Sequence, residues 1–290
     1  MKLRASVGTL SILGMSKVKI EMETAYLMLD GTCIYDCHYC SHARSSRASS
    51  SLLSRVIWKE VDSSILELIN DSEKIKRVCL QVVNYPGSHD NVLKIVDLVR
   101  KPLSISTRPM SLDEVSEYFE RGADRVGISI DVANESLFRK IRGGDLRKFL
   151  KLIEQAAERF PGRITTHLIV GLGESEEDLV KILQTMKDLG VLTALFAFTP
   201  VKGTKLWNHP PPSVSKYRRI QMARYYIYKG IIRYEDMRFD ENGNIEDFGT
   251  DVPVPPSAFL PGGCPHCTRP FYTERPSRIH YNLQPWEVKR

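Results

Sequence analysis

From about residue 25 to residue 230 the chain alternates six times between a short run of β-branched residues and a longer stretch with helical apolar spacing. No other feature restricts the fold as much, because alternation of this kind makes parallel strands joined by helical crossovers. The strand segments are TAYLMLD, IKRVCLQVV, PLSIST, RVGISID, RITTHLIVG and TALFAFT. The helical segments are SLLSRVIWKEVDSSILELIND, HDNVLKIVDLVRK, SLDEVSEYFERG, LRKFLKLIEQAAERF, SEEDLVKILQTMKDLG and SVSKYRRIQMARYYIYKG. Ser111, Ser175 and Ser213 stand at N-cap positions, and Gly122, Gly190 and Gly230 stand where helices should stop.

The alternation inside the strands says what kind of sheet they build. Val78, Leu80 and Val82 share one face of the second run, and Cys79 and Gln81 share the other. The same split recurs further on. Ser104 and Ser106 lie opposite Leu103 and Ile105, Ser129 and Asp131 opposite Val126, Ile128 and Ile130, and Thr165 and His167 opposite Ile164, Thr166 and Leu168. A closed eight-stranded barrel fills its interior with bulky branched side chains, and a doubly wound sheet buries both faces. A polar stripe on one face fits neither. The reading is an α/β fold, a partial (βα)6 barrel of the TIM type, partly open, whose polar inner face holds a polar cofactor.

A chain of 290 residues with 42% hydrophobic content buries a core without covalent staples, and its six cysteines are too few for a secreted disulfide scaffold. A cytoplasmic setting is therefore expected. Lys2 and Arg4 precede a mildly apolar run from Ala5 to Met15, but Gly, Thr and Ser interrupt it and no small-residue cleavage pattern follows. Residues 1–24 are read as a leader strand or arm. No apolar stretch is long enough to span a bilayer, so no membrane partner is expected. The net charge of +6 is dispersed along the chain, which gives no nucleic-acid footprint and leaves a mild preference for an acidic protein partner. After residue 230 the pattern changes: NGN at 242–244 reads as a hairpin turn and VPVPPSAFLPGG as a connector to a second cysteine pair. Residues 25–230 are assigned to the barrel, and 231–290 to an extension carrying C-x2-C that packs on it.

Three of the six cysteines fall within eight positions, in CIYDCHYC. Three thiolates on one loop, Cys33, Cys37 and Cys40, can hold three irons of a [4Fe–4S] cluster and leave the fourth open to a small molecule. The loop directly follows the first strand run, so it emerges at the carboxyl end of the sheet, where α/β active sites are built. The alternative is a zinc site, which requires a fourth ligand such as His38 or His42.

The C-x3-C-x2-C spacing, with the aromatic Tyr39 before the last cysteine, resembles the radical S-adenosylmethionine (radical SAM) superfamily over about residues 25 to 230. The resemblance implies a partial barrel in which SAM chelates the open iron and is cleaved by one electron to a radical that abstracts hydrogen from an unactivated carbon. VVNYPG is similar to the loop that meets the SAM amino group, which implies a role for Asn84. Ser129 and Asp131 match ribose-contacting positions of biotin-synthase-like enzymes, and Arg142 in KIRGG matches a carboxylate-binding arginine. HLIVGLGES resembles the family's fifth-strand motif, with Ile169 near adenine, and TPVKGTKL the segment after the sixth strand.

Cys79, Cys264 and Cys267 remain. One reading is a buried apolar Cys79 and a zinc knuckle in the tail completed by His280. The favoured reading is a second, auxiliary iron–sulfur cluster bridged from barrel to tail, with Ser277, Arg269 or a non-protein group as fourth ligand. Biotin synthase draws cysteines from several strands, whereas this chain has Ser104, Ser106 and Thr165 at the corresponding places. Cys79 together with CPHCTRPFYTERP instead resembles a subunit of the archaeal-type two-component lipoyl synthases. That resemblance implies sulfur insertion into an octanoyl chain carried by a lipoyl-domain or H-type protein, acting first at the terminal carbon. It also implies a paralogous radical SAM subunit and a reductant such as ferredoxin. The alternatives are other radical SAM chemistry, such as biotin-synthase-type or methylthiotransferase activity, and a non-catalytic zinc-binding protein.

Overall fold

The computed structural model describes residues 1–17, 20–54, 56–268, 280–283 and 288. Its first part holds β1 (Lys2–Ser6), α1 (Val7–Ile12), β2 (Thr24–Asp30), β3 (Leu52–Leu53), β4 (Val56–Val61) and α2 (Ile65–Asp71). There follow β5 (Arg77–Val82), α3 (Ser88–Leu98), β6 (Leu103–Thr107), α4 (Leu112–Glu120), β7 (Arg125–Ile128) and α5 (Glu135–Leu137). The last part holds α6 (Leu146–Arg159), β8 (Ile164–Val170), α7 (Glu176–Asp188), β9 (Leu192–Ala197), α8 (Val214–Lys229), β10 (Arg238–Phe239) and β11 (Ile245–Asp247).

The six strand runs seen in the sequence are β2 and β5 to β9, each paired parallel to the next. They form one nine-stranded sheet in the order β3-β4-β1-β2-β5-β6-β7-β8-β9, and among the described residues it ends at β9 without closing. The partial barrel is therefore observed. Ser111, Ser175 and Ser213 cap α4, α7 and α8 with their side chains, as read. Gly230 ends α8 in the left-handed region, where a Cβ costs energy.

Two segments depart from the sequence reading. The stretch from 51 to 71 is not one helix: β3 and β4 form a hairpin, and only Ile65–Asp71 is helical. Val56 and Trp58 are buried on one face while Ile57 is half exposed on the other, so strand period prevails over helical spacing. The leader strand β1 is part of the main sheet, inserted antiparallel between β2 and β4. Arg4 on β1 binds Asp30 at the end of β2 through Nε at 2.6 Å, a pair buried on both sides.

The sheet has two unlike faces, as the alternation requires. Ala25, Leu27, Leu29, Val78, Leu80, Ile105, Val126 and Ile128 pack outward with Val92, Ile95, Val115 and Leu183 of the helices into one core. Each such Leu or Ile, fully buried, contributes about 2 kcal/mol. Thr166, a polar member of the outward set, donates to the Ile128 carbonyl at 2.7 Å and accepts from Ile130 N–H. On the inner face, register places Cys79 opposite Ser104 and Gln81 opposite Ser106.

The extension lies along α8 and the barrel floor. NGN forms the turn of the β10–β11 hairpin, with the Asp240 carboxylate accepting from the Asn242 and Asn244 backbones. Gln221 of α8 donates to Phe259 O and to Asn282 Oδ1. Beneath β2, Thr24 donates to His266 O at 2.8 Å and the Thr268 N–H donates to the Tyr26 hydroxyl at 2.9 Å. No helix among the described residues is long and apolar enough to cross a membrane.

Gly203, in TPVKGTKL, lies at φ +97°, and a Cβ there would stand 2.5 Å from the Ala48 backbone nitrogen. Its carbonyl accepts from Arg47 N–H, so the turn after β9 is fastened to the loop that carries the three cysteines. Gly203→Ala is expected to lower stability by about 2 kcal/mol, read as an earlier urea midpoint, with a compensating gain of none of the sheet contacts.

Candidate active site

Strand β2 ends at Asp30, and the loop beyond it carries Cys33, Cys37 and Cys40 to the carboxyl edge of the sheet. Backbone bonds fix its path. Ile34 N–H donates to Asn84 O, His38 N–H to Ile141 O, and Leu206 N–H to His38 O, tying the loop to the segments after β5, β7 and β9. All three thiols line one cavity, with space of about 230 Å³ for the centres of water-sized molecules. Tyr39, Asn84, Ser129, Asp131, Arg142 and Ile169 line the same cavity, so the first set of sequence-assigned residues converges.

Burial pushes the Cys33 thiol up and the Cys40 thiol to about 12, with the neighbouring Cys37 adding to the second shift. Such thiols stay protonated until a cation displaces the proton, and soft thiolates are the ligands that iron–sulfur clusters use. Among the described residues, no three His, Cys, Asp or Glu side chains converge on a point that one ion could occupy. The thiols are instead spread on a cavity wall, and His42, whose Nε2 is buried without a hydrogen-bond partner, stands there beside them.

Arg142 joins the loop to the barrel. It is nearly fully buried, and its Nη1 lies 2.8 Å from Asp131 Oδ2, 2.9 Å from the Tyr39 hydroxyl and 3.6 Å from Cys37 Sγ. Its Nη2 donates to Ser129 O at 2.5 Å, while its Nε, also buried, has no partner. Burial opposes the guanidinium charge, but Tyr39 and Asp131 outweigh it and hold the pKa above its ordinary value. Burial also keeps the Tyr39 phenol protonated, and it donates to Asp131 Oδ2 at 2.7 Å. Asp131 itself sits at φ +63°, a left-handed conformation that a non-glycine residue adopts only when its surroundings impose it. Here Asp131 N–H donates to His167 O, and its carbonyl accepts from Ile169 N–H, extending β7 along β8 past its last regular pair.

Arg108, which the sequence reading does not single out, completes this wall. It stacks on Tyr35 at 3.9 Å and donates to the carbonyls of Arg142 and Gly143 at 3.0 and 2.7 Å. Its signal was a lone arginine just past the third parallel strand, at the same carboxyl edge as Asn84 and Asp131.

A second, smaller cavity of about 30 Å³ by the same measure brings together Cys79, Cys264 and Cys267. It lies toward the amino ends of the strands, walled by Thr24, Tyr26, Arg77 and Thr165. Gln81, His167 and Phe196 line both cavities, so the two are stacked along the barrel. Gln81 donates to Cys79 Sγ at 3.1 Å, and the Tyr26 hydroxyl donates to Cys267 Sγ at 3.7 Å. Ser277 and Arg269 lie outside the described residues. His280 is not among the residues lining either cavity; its carbonyl accepts from Arg218.

The sequence pattern of the Radical SAM superfamily matches residues 31–186, more than half of the chain, and spans both the cysteine loop and the Asp131–Arg142 wall. The chain belongs to the radical SAM superfamily. Membership implies a [4Fe–4S] cluster and SAM, and the thiol triplet with the unspent Arg142 Nε beside it fits such a pair. The chain is 26% identical to an uncharacterized protein of Methanocaldococcus jannaschii, covering 74% of this chain and 59% of that one. It is 23% identical to a probable GTP 3′,8-cyclase of Methanococcus vannielii, covering 65% and 63%. A biotin synthase of Vesicomyosocius okutanii is 22% identical, covering 74% and 69%. The chain thus spans less than two thirds of the length of the first two relatives. In fold it is similar to HydG, a maturase of the [FeFe]-hydrogenase, with a TM-score of 0.56, 12% identity and coverage of 72% and 51%.

Asp131→Asn leaves the Arg142 guanidinium buried beside a neutral amide. Stability is expected to fall by about 3 kcal/mol, measured by chemical unfolding, and SAM binding measured by calorimetry should weaken with it.

Proposed function

We propose that the chain inserts sulfur into an unactivated carbon of a protein-bound octanoyl chain, as a lipoyl-synthase-like radical SAM enzyme. The observation that carries this reading is the second cavity. Three thiols drawn from β5 and from the C-terminal extension line a compartment that shares Gln81, His167 and Phe196 with the one holding Cys33, Cys37 and Cys40.

Cys33, Cys37 and Cys40 would hold the [4Fe–4S] cluster to which SAM binds, and Cys79, Cys264 and Cys267 an auxiliary cluster. Together these groups supply one-electron cleavage of SAM, the hydrogen abstraction that follows, and a sulfide to be transferred. The chain's own residues do the rest. Arg142, Asp131 and Tyr39 fix the cysteine loop against the sheet, and Asn84, Ser129 and Ile169 offer the hydrogen-bonding and apolar contacts for a nucleoside. Val82, Val83, Phe196 and Phe198 give the larger cavity an apolar lining that suits an alkyl chain. A carbon radical must meet its sulfur before it is quenched, and stacked cavities with common walls hold both reactants within one water-poor space.

The octanoyl chain would arrive on a lipoyl-domain or H-type carrier protein, with a paralogous radical SAM subunit for the second insertion and a ferredoxin-type reductant, in the cytoplasm. Residues 231–290 would serve as the extension that closes the auxiliary site. Relatives named GTP 3′,8-cyclase support a second reading, other radical SAM chemistry in which the auxiliary site keeps its sulfide during turnover.

Two measurements test the proposal. The triple variant Cys33→Ala, Cys37→Ala, Cys40→Ala should form no 5′-deoxyadenosine above background while keeping the iron of the auxiliary site. Protein reconstituted with ³⁴S sulfide and given SAM, reductant and an octanoylated carrier peptide should place the heavy sulfur in the product, about one product per auxiliary cluster. Unlabelled sulfur, a sulfur-free product or full activity in Cys264→Ala would overturn sulfur donation and favour the second reading.

A further inference from the structure

The second cavity contains a cation as well as thiols. Arg77, two residues before Cys79 on β5, lines it and is only 6% exposed. Its Nη1 is anchored on the far side, 2.9 Å from Ser104 Oγ and 2.6 Å from Asp124 Oδ2. Those bonds fix the plane of the guanidinium. Its Nε is buried and, among the described residues, has no hydrogen-bond partner, a state that a folded protein rarely leaves uncompensated. An arginine side chain has donors and no acceptor and stays protonated, so whatever satisfies Nε must be an acceptor, and an anion best of all.

We propose that Arg77 Nε–H donates a charge-assisted hydrogen bond to the sulfur-bearing anionic group held by Cys79, Cys264 and Cys267. This rests on reading the second cavity as an iron–sulfur site, and it adds a fourth contact that is a donor and not a ligand. A cluster ligated by three thiolates carries net negative charge into a buried space, where an unpaired charge is costly. A fixed guanidinium offsets part of that charge. It also draws the cluster's reduction potential upward, because hydrogen bonds to the sulfurs favour the reduced, more negative state.

The test uses the full chain carrying Cys33→Ala, Cys37→Ala and Cys40→Ala, so that only the second site is observed. With ¹⁵N-arginine incorporated, pulsed electron paramagnetic resonance of the reduced second cluster should show a ¹⁵N coupling and an exchangeable proton coupling. The ¹⁵N coupling should vanish in Arg77→Lys, which keeps the charge but contributes no labelled nitrogen, and the midpoint potential should move negative in Arg77→Met. A ¹⁵N coupling that persists in Arg77→Lys, or is absent from the labelled parent that holds its iron, overturns the role of Arg77. The labelled parent and Arg77→Lys together decide the matter even where Arg77→Met fails to fold, because a coupling from another arginine near the site, such as Arg224, would persist in Arg77→Lys. A parent that binds no iron at the second site overturns the iron–sulfur reading itself, and this inference with it.

Discussion

The buried ion pair between Arg142 and Asp131 holds the rest of the site together. The guanidinium reaches Tyr39 and Cys37 on the cysteine loop and Asp131 and Ser129 on the continuation of β7, at distances of 3.6 Å or less. A charge in that position is costly without a counter-charge and hydrogen bonds to most of its donors, so the loop and the strand stabilise each other by coming together there. The same bonds explain how Asp131 keeps its left-handed backbone, since its peptide groups are claimed by His167 and Ile169 on β8. One arginine thereby sets where three thiols stand relative to the sheet.

The sheet's division into an apolar outer face and a polar inner face then places everything else. Outer residues pack under the helices and supply the stability, which leaves the inner face free to be polar. In a barrel that stays open among the described residues, that face encloses space, and the space is divided by Gln81, His167 and Phe196 into an upper and a lower compartment. The lower one exists only because the C-terminal extension lies across the amino ends of the strands. Thr24 and Tyr26 of β2 bind the backbone around Cys267, and Glu23 pairs with His266, so the floor is fastened to the first parallel strand.

Much of this was legible in the chain. The six parallel strands, three helix caps and the polar inner stripe depend on local periods of two and 3.6 residues, which sequence displays directly. The convergence of Tyr39, Asn84, Ser129, Asp131, Arg142 and Ile169 with the cysteines follows the family resemblance, and Asn84, Ser129 and Asp131 stand just past the strands β5 and β7 while Ile169 lies near the end of β8. The hairpin at β3 and β4 reads as helix in the sequence, since Leu52, Leu53, Val56 and Val61 also satisfy helical spacing and pairing with β1 selects the strand. The roles of Arg108, just past β6, and Arg77, the first residue of β5, are not legible in the sequence, because an arginine at a strand end is ordinarily solvated and nothing local marks the few that fold inward.

By itself, then, the sequence determined the order of elements, the two-faced strands and the presence of a thiol triplet suited to an iron–sulfur cluster. Those properties follow from neighbours within a few positions, where backbone geometry alone fixes which side chains share a face. Tertiary structure decided that Cys79 meets Cys264 and Cys267, that the two compartments share walls, and that Arg142 finds Asp131 while Arg77 keeps one donor unspent. These contacts join positions up to 188 residues apart, from Cys79 to Cys267. No periodicity encodes them; they arise from the curling of the sheet, the packing of the extension beneath it and the burial of its charges.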